Sequence, residues 1–143
     1  MPFVFDTNVA ITAARNRDER GRFTSFLRAR RGQVWLHATV WLELQVGARQ
    51  EDEQAALDSF VEPFVDTNRI LVPSQESWRQ AGRVLARLAE EHGVDVRRSS
   101  IHQDAIIAAS TRERGFTIVT NNLADFQLIA PYLSRLTFGA PYP

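Results

Sequence analysis

Four carboxylates, Asp6, Glu43, Asp104 and Asp125, each stand where a merely solvated acid is not expected. Asp6 follows the apolar run Phe3-Val4-Phe5 and precedes Thr7-Asn8, the place of a residue at the C-terminal mouth of a buried first strand. In TVWLELQVGAR, the residues Val40, Leu44 and Gly47 recur at i, i+4 and i+7, and Glu43 falls on the same helical stripe. In SIHQDAIIAASTRERG, the residues Ile101, Ala105 and Ala108 form a second stripe that contains Asp104. Asp125 follows the apolar run 116–119 and the polar turn Thr120-Asn121-Asn122, which puts it at another strand mouth.

An ionised carboxylate pointing into a fold costs several kcal/mol, roughly, unless a cation meets it, and several converging ones call for a multivalent cation. Hard divalent ions such as Mg²⁺ or Mn²⁺ take oxygen ligands and retain waters, leaving positions for phosphate oxygens and an attacking hydroxide. Phosphodiester hydrolysis is the chemistry that follows. Helix capping is the competing account of Asp6, Asp104 and Asp125, and an ion-paired surface position that of Glu43. The conjunction of four such acids in one chain favours the metal.

To bring these acids together the chain must alternate strands and helices. Strand patterns lie near 2–5, 34–36, 69–72, 116–119 and 135–138. Helical patterns occupy 8–31 with a break near Asp18 to Gly21, then 39–49, 52–64, 75–92 and 102–114. Gly93 reads as a helix stop, and Ser99 or Ser100 as the cap of the following helix. Alternation of this kind predicts an α/β fold, an α/β/α sandwich about a mostly parallel central sheet of about five strands. No linker or repeat divides residues 1–143, so a single domain is expected.

Composition narrows the chemistry further. Cysteine is absent, which excludes thiol catalysis, zinc–thiolate sites and disulfides. There is no basic-then-apolar leader and no apolar run of membrane-spanning length, so a cytoplasmic protein with no membrane partner is expected. All 17 basic residues are arginine. Without lysine, a phosphorelay receiver is excluded, and Asn8 stands where a phosphoaspartyl phosphatase would carry its second aspartate. Net charge is zero, yet Arg15, Arg17, Arg20, Arg22, Arg28, Arg30 and Arg31 crowd one stretch opposed only by Asp18 and Glu19. That segment, with Arg97 and Arg98, could meet a polyanion through bidentate guanidinium–phosphate bonds. The histidines His37, His92 and His102 share no ligand spacing and are read as structural or surface groups. Trp35, Trp41 and Trp78 read first as core or interface anchors.

The blocks FVFDTNV, TVWLELQVGA and DAIIAASTRERGFTIVTNNLADF, in this order and spacing, resemble the signature blocks of the PIN-domain family, in particular its VapC-type toxins. The resemblance implies a Mg²⁺- or Mn²⁺-dependent endoribonuclease site. Asp6 matches the first-strand acid, Glu43 the helix acid, Asp104 the acid opening DAIIAA and Asp125 the acid of the last block, with Thr120 and Asn122 at that block's polar positions. Asn121 and Ala124 stand where many relatives carry arginines. In the mechanism so implied, Asp6 and Asp104 bind the metal, Glu43 and Asp125 complete or orient its water shell, and Thr7, Asn8, Thr120 and Asn122 support them. The implied partners are an RNA substrate and a small antitoxin, with homodimers and heterotetramers or larger assemblies. A catalytically inactive scaffold that only binds a partner protein is the alternative, and the complete set of acids weighs against it.

Overall fold

A computed structural model describes residues 1–142, apart from the side chain of Ser99. Five short strands, β1 (Phe3–Phe5), β2 (Val34–His37), β3 (Ile70–Leu71), β4 (Thr117–Val119) and β5 (Thr137–Gly139), form one sheet in the order β3-β2-β1-β4-β5. All four pairings are parallel, with Val4 opposite Trp35 on one side and Ile118 on the other. The helices are α1 (Thr7–Arg15), α2 (Arg17–Ala29), α3 (Ala38–Gly47), α4 (Glu51–Asp66), α5 (Gln75–His92), α6 (Ser99–Arg114) and α7 (Leu123–Ile129), followed by a 3₁₀ turn at Ala130–Tyr132.

The strand order explains the layering. From β1 the chain winds outward through β2 to β3, then crosses back to β4 on the other side of β1. Right-handed crossovers therefore send the helices of the two runs to opposite faces. Consistent with this, α1 packs on α2 and α3, and α3 on α4, whereas α5, α6 and α7 pack on one another. The result is the α/β/α arrangement expected. Between β1 and β4 the winding reverses, and in open α/β sheets the crevice at the carboxyl ends of such strands is where ligands bind.

The core is built from the strands' inward residues and the helix stripes. Val4, Phe5, Leu36, Leu88, Ile101, Ile118 and Phe126 are fully buried. Phe5 sits among Phe23, Phe60 and Phe64 with ring centroids 5.3, 6.1 and 6.2 Å away, mostly edge to face. No helix among the described residues is long and apolar enough to cross a membrane.

Several expected boundaries move. The break in the first helical region falls at Asn16 and not near Asp18 to Gly21. Asn16 ends α1 and caps α2 by accepting from the Glu19 amide at 3.1 Å, and Arg20 satisfies the carbonyls of Ala13 and Ala14. Gly21 is thereby an interior residue of α2. Gly93 stops α5 in the left-handed conformation at φ 62°, as its position in the sequence implies. The cap position of α6 is taken by Arg98, so the helix starts earlier than 102; the Ser99 side chain lies outside the described residues. Helix α7 and its 3₁₀ extension have no counterpart in the strand and helix patterns read from sequence. With only seven residues, α7 offers too short a window for a 3.6-residue period to declare itself.

Candidate metal centre

Three of the four acids, Asp6, Glu43 and Asp104, come from different elements to line one cleft, and Asp125 lies next to it, bonded to the cleft residue Asn122. Asp6 is the residue after β1 and the cap of α1, its Oδ1 accepting from the Thr7 amide at 2.8 Å. Capping and a place at the strand mouth are thus one geometry. Oδ2 accepts from the Thr120 hydroxyl at 3.0 Å and from the Asn8 amide nitrogen at 3.1 Å. Thr120 follows β4, the strand beside β1, so the two mouths are tied directly.

Asp104 lies in the first turns of α6 on the inward stripe with Ile101, Ala105 and Ala108, all fully buried. It is 4% exposed, and its Oδ2 is buried without a hydrogen-bond partner. Burial, then the charge of Asp6, then the close approach of Asp125, push its carboxyl up to about 9. Asp6 is raised from the usual aspartate value for the same leading reason, burial, against the lowering effect of its bonds from Thr120 and Thr7. These are acids in want of a cation.

Glu43 departs from the expected stripe. Within α3 only Val40 is buried; Leu44 and Glu43 are half-buried and Gly47 is exposed. This helix is apolar on nearly every side, so its pattern does not single out one face. Glu43 nevertheless reaches the crevice, where the Gln103 amide nitrogen donates to both of its carboxylate oxygens at 2.8 Å. Gln103 precedes Asp104 on α6, so this contact bridges the two helical layers over the end of the sheet. Sequence reasoning missed Gln103, and the only signal for it was adjacency to an inward acid.

Asp125 belongs to the first turn of α7 and not to an open strand mouth. It is 6% exposed; Oδ2 accepts from the Asn122 amide at 2.9 Å and Oδ1 pairs with the Arg98 guanidinium at 3.3 Å. The cleft itself, about 160 Å³, is lined by Asp6, Thr7, Asn8, Glu43, Gln103 and Asp104 among others, with Asp125 set behind Asn122. The Thr7 hydroxyl, also buried, has no partner. Asn8 accepts from the Asn121 amide at 3.1 Å, and Thr120 accepts from the Asn122 amide at 2.9 Å, so the polar residues of both loops hold one another.

Among the described residues no three acidic or histidine side chains close around a point as a finished cage. In this arrangement Gln103 engages Glu43, and Arg98 pairs with Asp125. The donor set still suits a hard divalent ion: carboxylate oxygens only, one of them orphaned in Asp104, beside an orphaned hydroxyl in Thr7. The histidines stay out of it. His37 is fully buried, caps α3 by accepting from the Thr39 amide, and meets Ser110 through Nε2 at 2.7 Å. His92 bonds Tyr132 at the end of α5, and His102 is exposed.

Known proteins resemble this chain in sequence and in fold. The sequence profile of the PIN domain matches residues 3–130. The chain is 27% identical over 131 residues to the tRNA(fMet)-specific endonuclease VapC of Shigella flexneri, covering 90% of this chain and 92% of that protein. Its fold is similar to that in the crystal structure of DNA-bound VapBC from Salmonella typhimurium, with a TM-score of 0.71 at 22% identity and 98% of each chain covered. A toxin–antitoxin complex from Klebsiella pneumoniae gives 0.59 at 24% identity, with 97% of each chain covered. The match to the PIN domain profile across residues 3–130, on a five-stranded parallel sheet of this order, establishes that this chain belongs to the PIN domain family.

Proposed function

We propose that this protein is a Mg²⁺- or Mn²⁺-dependent endoribonuclease and the toxin of a toxin–antitoxin pair. The observation that carries the reading is the buried, unpartnered Oδ2 of Asp104 facing the same cleft as Asp6 and Glu43. The relationship to a VapC endonuclease and to toxin–antitoxin complexes supports RNA as the substrate class and a small antitoxin as the partner.

In this reading Asp6 and Asp104 hold the ion, and Glu43 and Asp125 orient its waters. An ion so held supplies charge neutralisation at the scissile phosphate and lowers the pKa of a coordinated water. The residues around it do the positioning. Thr120 and Asn8 fix the Asp6 carboxylate, Gln103 aims Glu43, and Asn122 holds Asp125. Thr7 holds the other oxygen of Asp6 through its backbone amide. Asp104 would hold the ion as a carboxylate, so its raised carboxyl would couple ion binding to pH.

Purified protein incubated with Mg²⁺ and a panel of structured RNAs tests this. Site-selective cuts that disappear with a chelator support the nuclease. No cut in any RNA, with the fold intact, supports a scaffold that only binds a partner.

A further inference from the structure

The arginine-rich segment of α2 borders a groove that leads away from the cleft. Its largest part, about 840 Å³, is bordered by Arg17, Arg22 and Arg30, with Asp18 the sole acid and Gly21 in its floor. A second hollow, lined by Thr12, Glu19, Asn121, Arg22 and Tyr142 among others, joins it at Arg22 and Tyr142, and there Glu19 pairs with Arg22 at 3.2 Å on an exposed surface. That hollow reaches the acids in one step: Asn121 donates its backbone amide to Asn8, which lines the cleft, and Thr12 lies one helical turn beyond Asn8 on α1. The path therefore runs from Asp6 over Asn8, Asn121 and Thr12 to Arg22, Tyr142 and Arg17.

Its chemistry changes along the way. At the cleft the lining is acidic, in the middle it is amide and hydroxyl beside the Glu19–Arg22 ion pair, and along α2 guanidinium outnumbers the single carboxylate of Asp18. Arg22 lies over the Tyr142 ring at 4.9 Å, a planar cation on an aromatic face of the kind on which a nucleic-acid base stacks. Arg17 is exposed on the same border. A duplex has its bases paired and stacked inside, and offers no free base for this platform.

We propose that this groove is a binding track for the single-stranded RNA that flanks the cleavage site, with Arg17 and Arg22 meeting phosphates and the Arg22–Tyr142 pair receiving a base. The inference rests on the nuclease reading, and extends it to a surface remote from the acids.

Gly21 gives a test whose sign is diagnostic. A Cβ at Gly21 meets nothing within 4 Å, and any residue other than proline improves on glycine inside a helix, so Gly21→Glu and Gly21→Arg both fold and differ only in the charge they put into the groove. Cleavage with Mn²⁺ is measured on two substrates, a long single-stranded oligouridylate and a uridine dinucleotide too short to leave the cleft. For the long substrate, Gly21→Glu raises KM by about tenfold without lowering kcat, and Gly21→Arg lowers KM. The ratio of long- to short-substrate efficiency moves in step. The double variant Arg17→Ala/Arg22→Ala lowers the salt slope of oligouridylate binding by about 1.4, the loss of two single-strand phosphate contacts. Equal KM values for both Gly21 variants, or an unchanged salt slope, overturn the track while leaving the nuclease standing. Failure of the unaltered protein to cut either substrate counts against the nuclease and the track together. Loss of binding to a co-expressed partner protein in the Gly21 variants, with RNA kinetics unchanged, reassigns the groove to a protein and overturns the proposal.

Discussion

The Thr120 hydroxyl donates to Oδ2 of Asp6 at 3.0 Å across 114 residues of sequence, joining the ends of the two strands between which the sheet reverses its winding. The Thr120 hydroxyl oxygen also accepts from the Asn122 amide, so this one buried side chain sets both the first acid and the turn that precedes α7. Thr120→Val keeps the shape and removes the donor. The expected outcome is a loss of about 1.5–3 kcal/mol in urea unfolding, because a buried carboxylate loses a charge-assisted bond. Mn²⁺ binding measured by calorimetry should weaken several-fold in the same variant, since an Asp6 already raised by burial is raised further.

Gln103 is expected to matter for activity more than for stability. Its amide holds both oxygens of Glu43, and both side chains are half-buried. Gln103→Ala should leave the urea midpoint nearly unchanged while lowering RNA cleavage by about 10- to 100-fold, the range found when a supporting partner of a metal ligand is removed. Gln103→Glu should be worse than Gln103→Ala, because it sets a like charge against Glu43. Equal activity of all three proteins would show that Glu43 needs no such support.

Stability of the metal-free protein should depend on pH in two opposed ways. His37 is held neutral by burial, its pKa lowered from 6.5 to about 4. The unfolded chain therefore binds the extra proton first, and as pH falls from about 6.5 to about 4 a contribution of roughly 3 kcal/mol is lost. Asp104 runs the other way. Its folded pKa, about 9, exceeds the unfolded value of 3.8, so the native state holds more protons across that interval and stability falls as pH rises. Above pH 6.5 the His37 contribution is complete, and the decline from Asp104 stands out. Thermal melts in chelator should show a lower Tm at pH 9 than at pH 7; Mg²⁺ or the Asp104→Asn substitution should flatten the difference.

Removing the His37 ring tests how α3 is held. His37→Ala deletes the cap bond to Thr39 and leaves the Ser110 hydroxyl without its imidazole in a site that is fully buried. A loss of about 2–4 kcal/mol is expected from the cap and the cavity together, read by denaturant unfolding. A change under about 1 kcal/mol would mean that the ring contributes little to the position of the helix that carries Glu43.

Much of this geometry could be read from the sequence, for identifiable physical reasons. Asp6 stood out because a charge directly after three apolar residues has few places to go, and Asp104 because its stripe of Ile101, Ala105 and Ala108 is strictly inward. The five strands were visible as short apolar runs, although β3 holds only two residues and β5 starts two residues and ends one residue later than its pattern suggested. The limits were equally physical. Helix α3 is apolar all round, so periodicity placed Glu43 on a core stripe that does not exist, while its real anchor is a glutamine 60 positions away. Asn16, between Arg15 and Arg17, ends α1 and caps α2, and Gly21 looked like a break when it is a gap in a helix surface. Pairing of Arg98 with Asp125 is a tertiary contact between two loop-proximal residues, which no local pattern encodes.

The central claim is that Asp6 and Asp104 hold a divalent ion that cuts RNA. The most direct measurement compares the unaltered protein with Asp6→Asn and Asp104→Asn for RNA cleavage in Mg²⁺ or Mn²⁺, with circular dichroism to verify the fold. The account predicts that each substitution abolishes cleavage while the fold stays intact, with Asp104→Asn at least as stable as the parent in chelator because it removes a buried, raised carboxyl. Undiminished cleavage by both folded variants would contradict it.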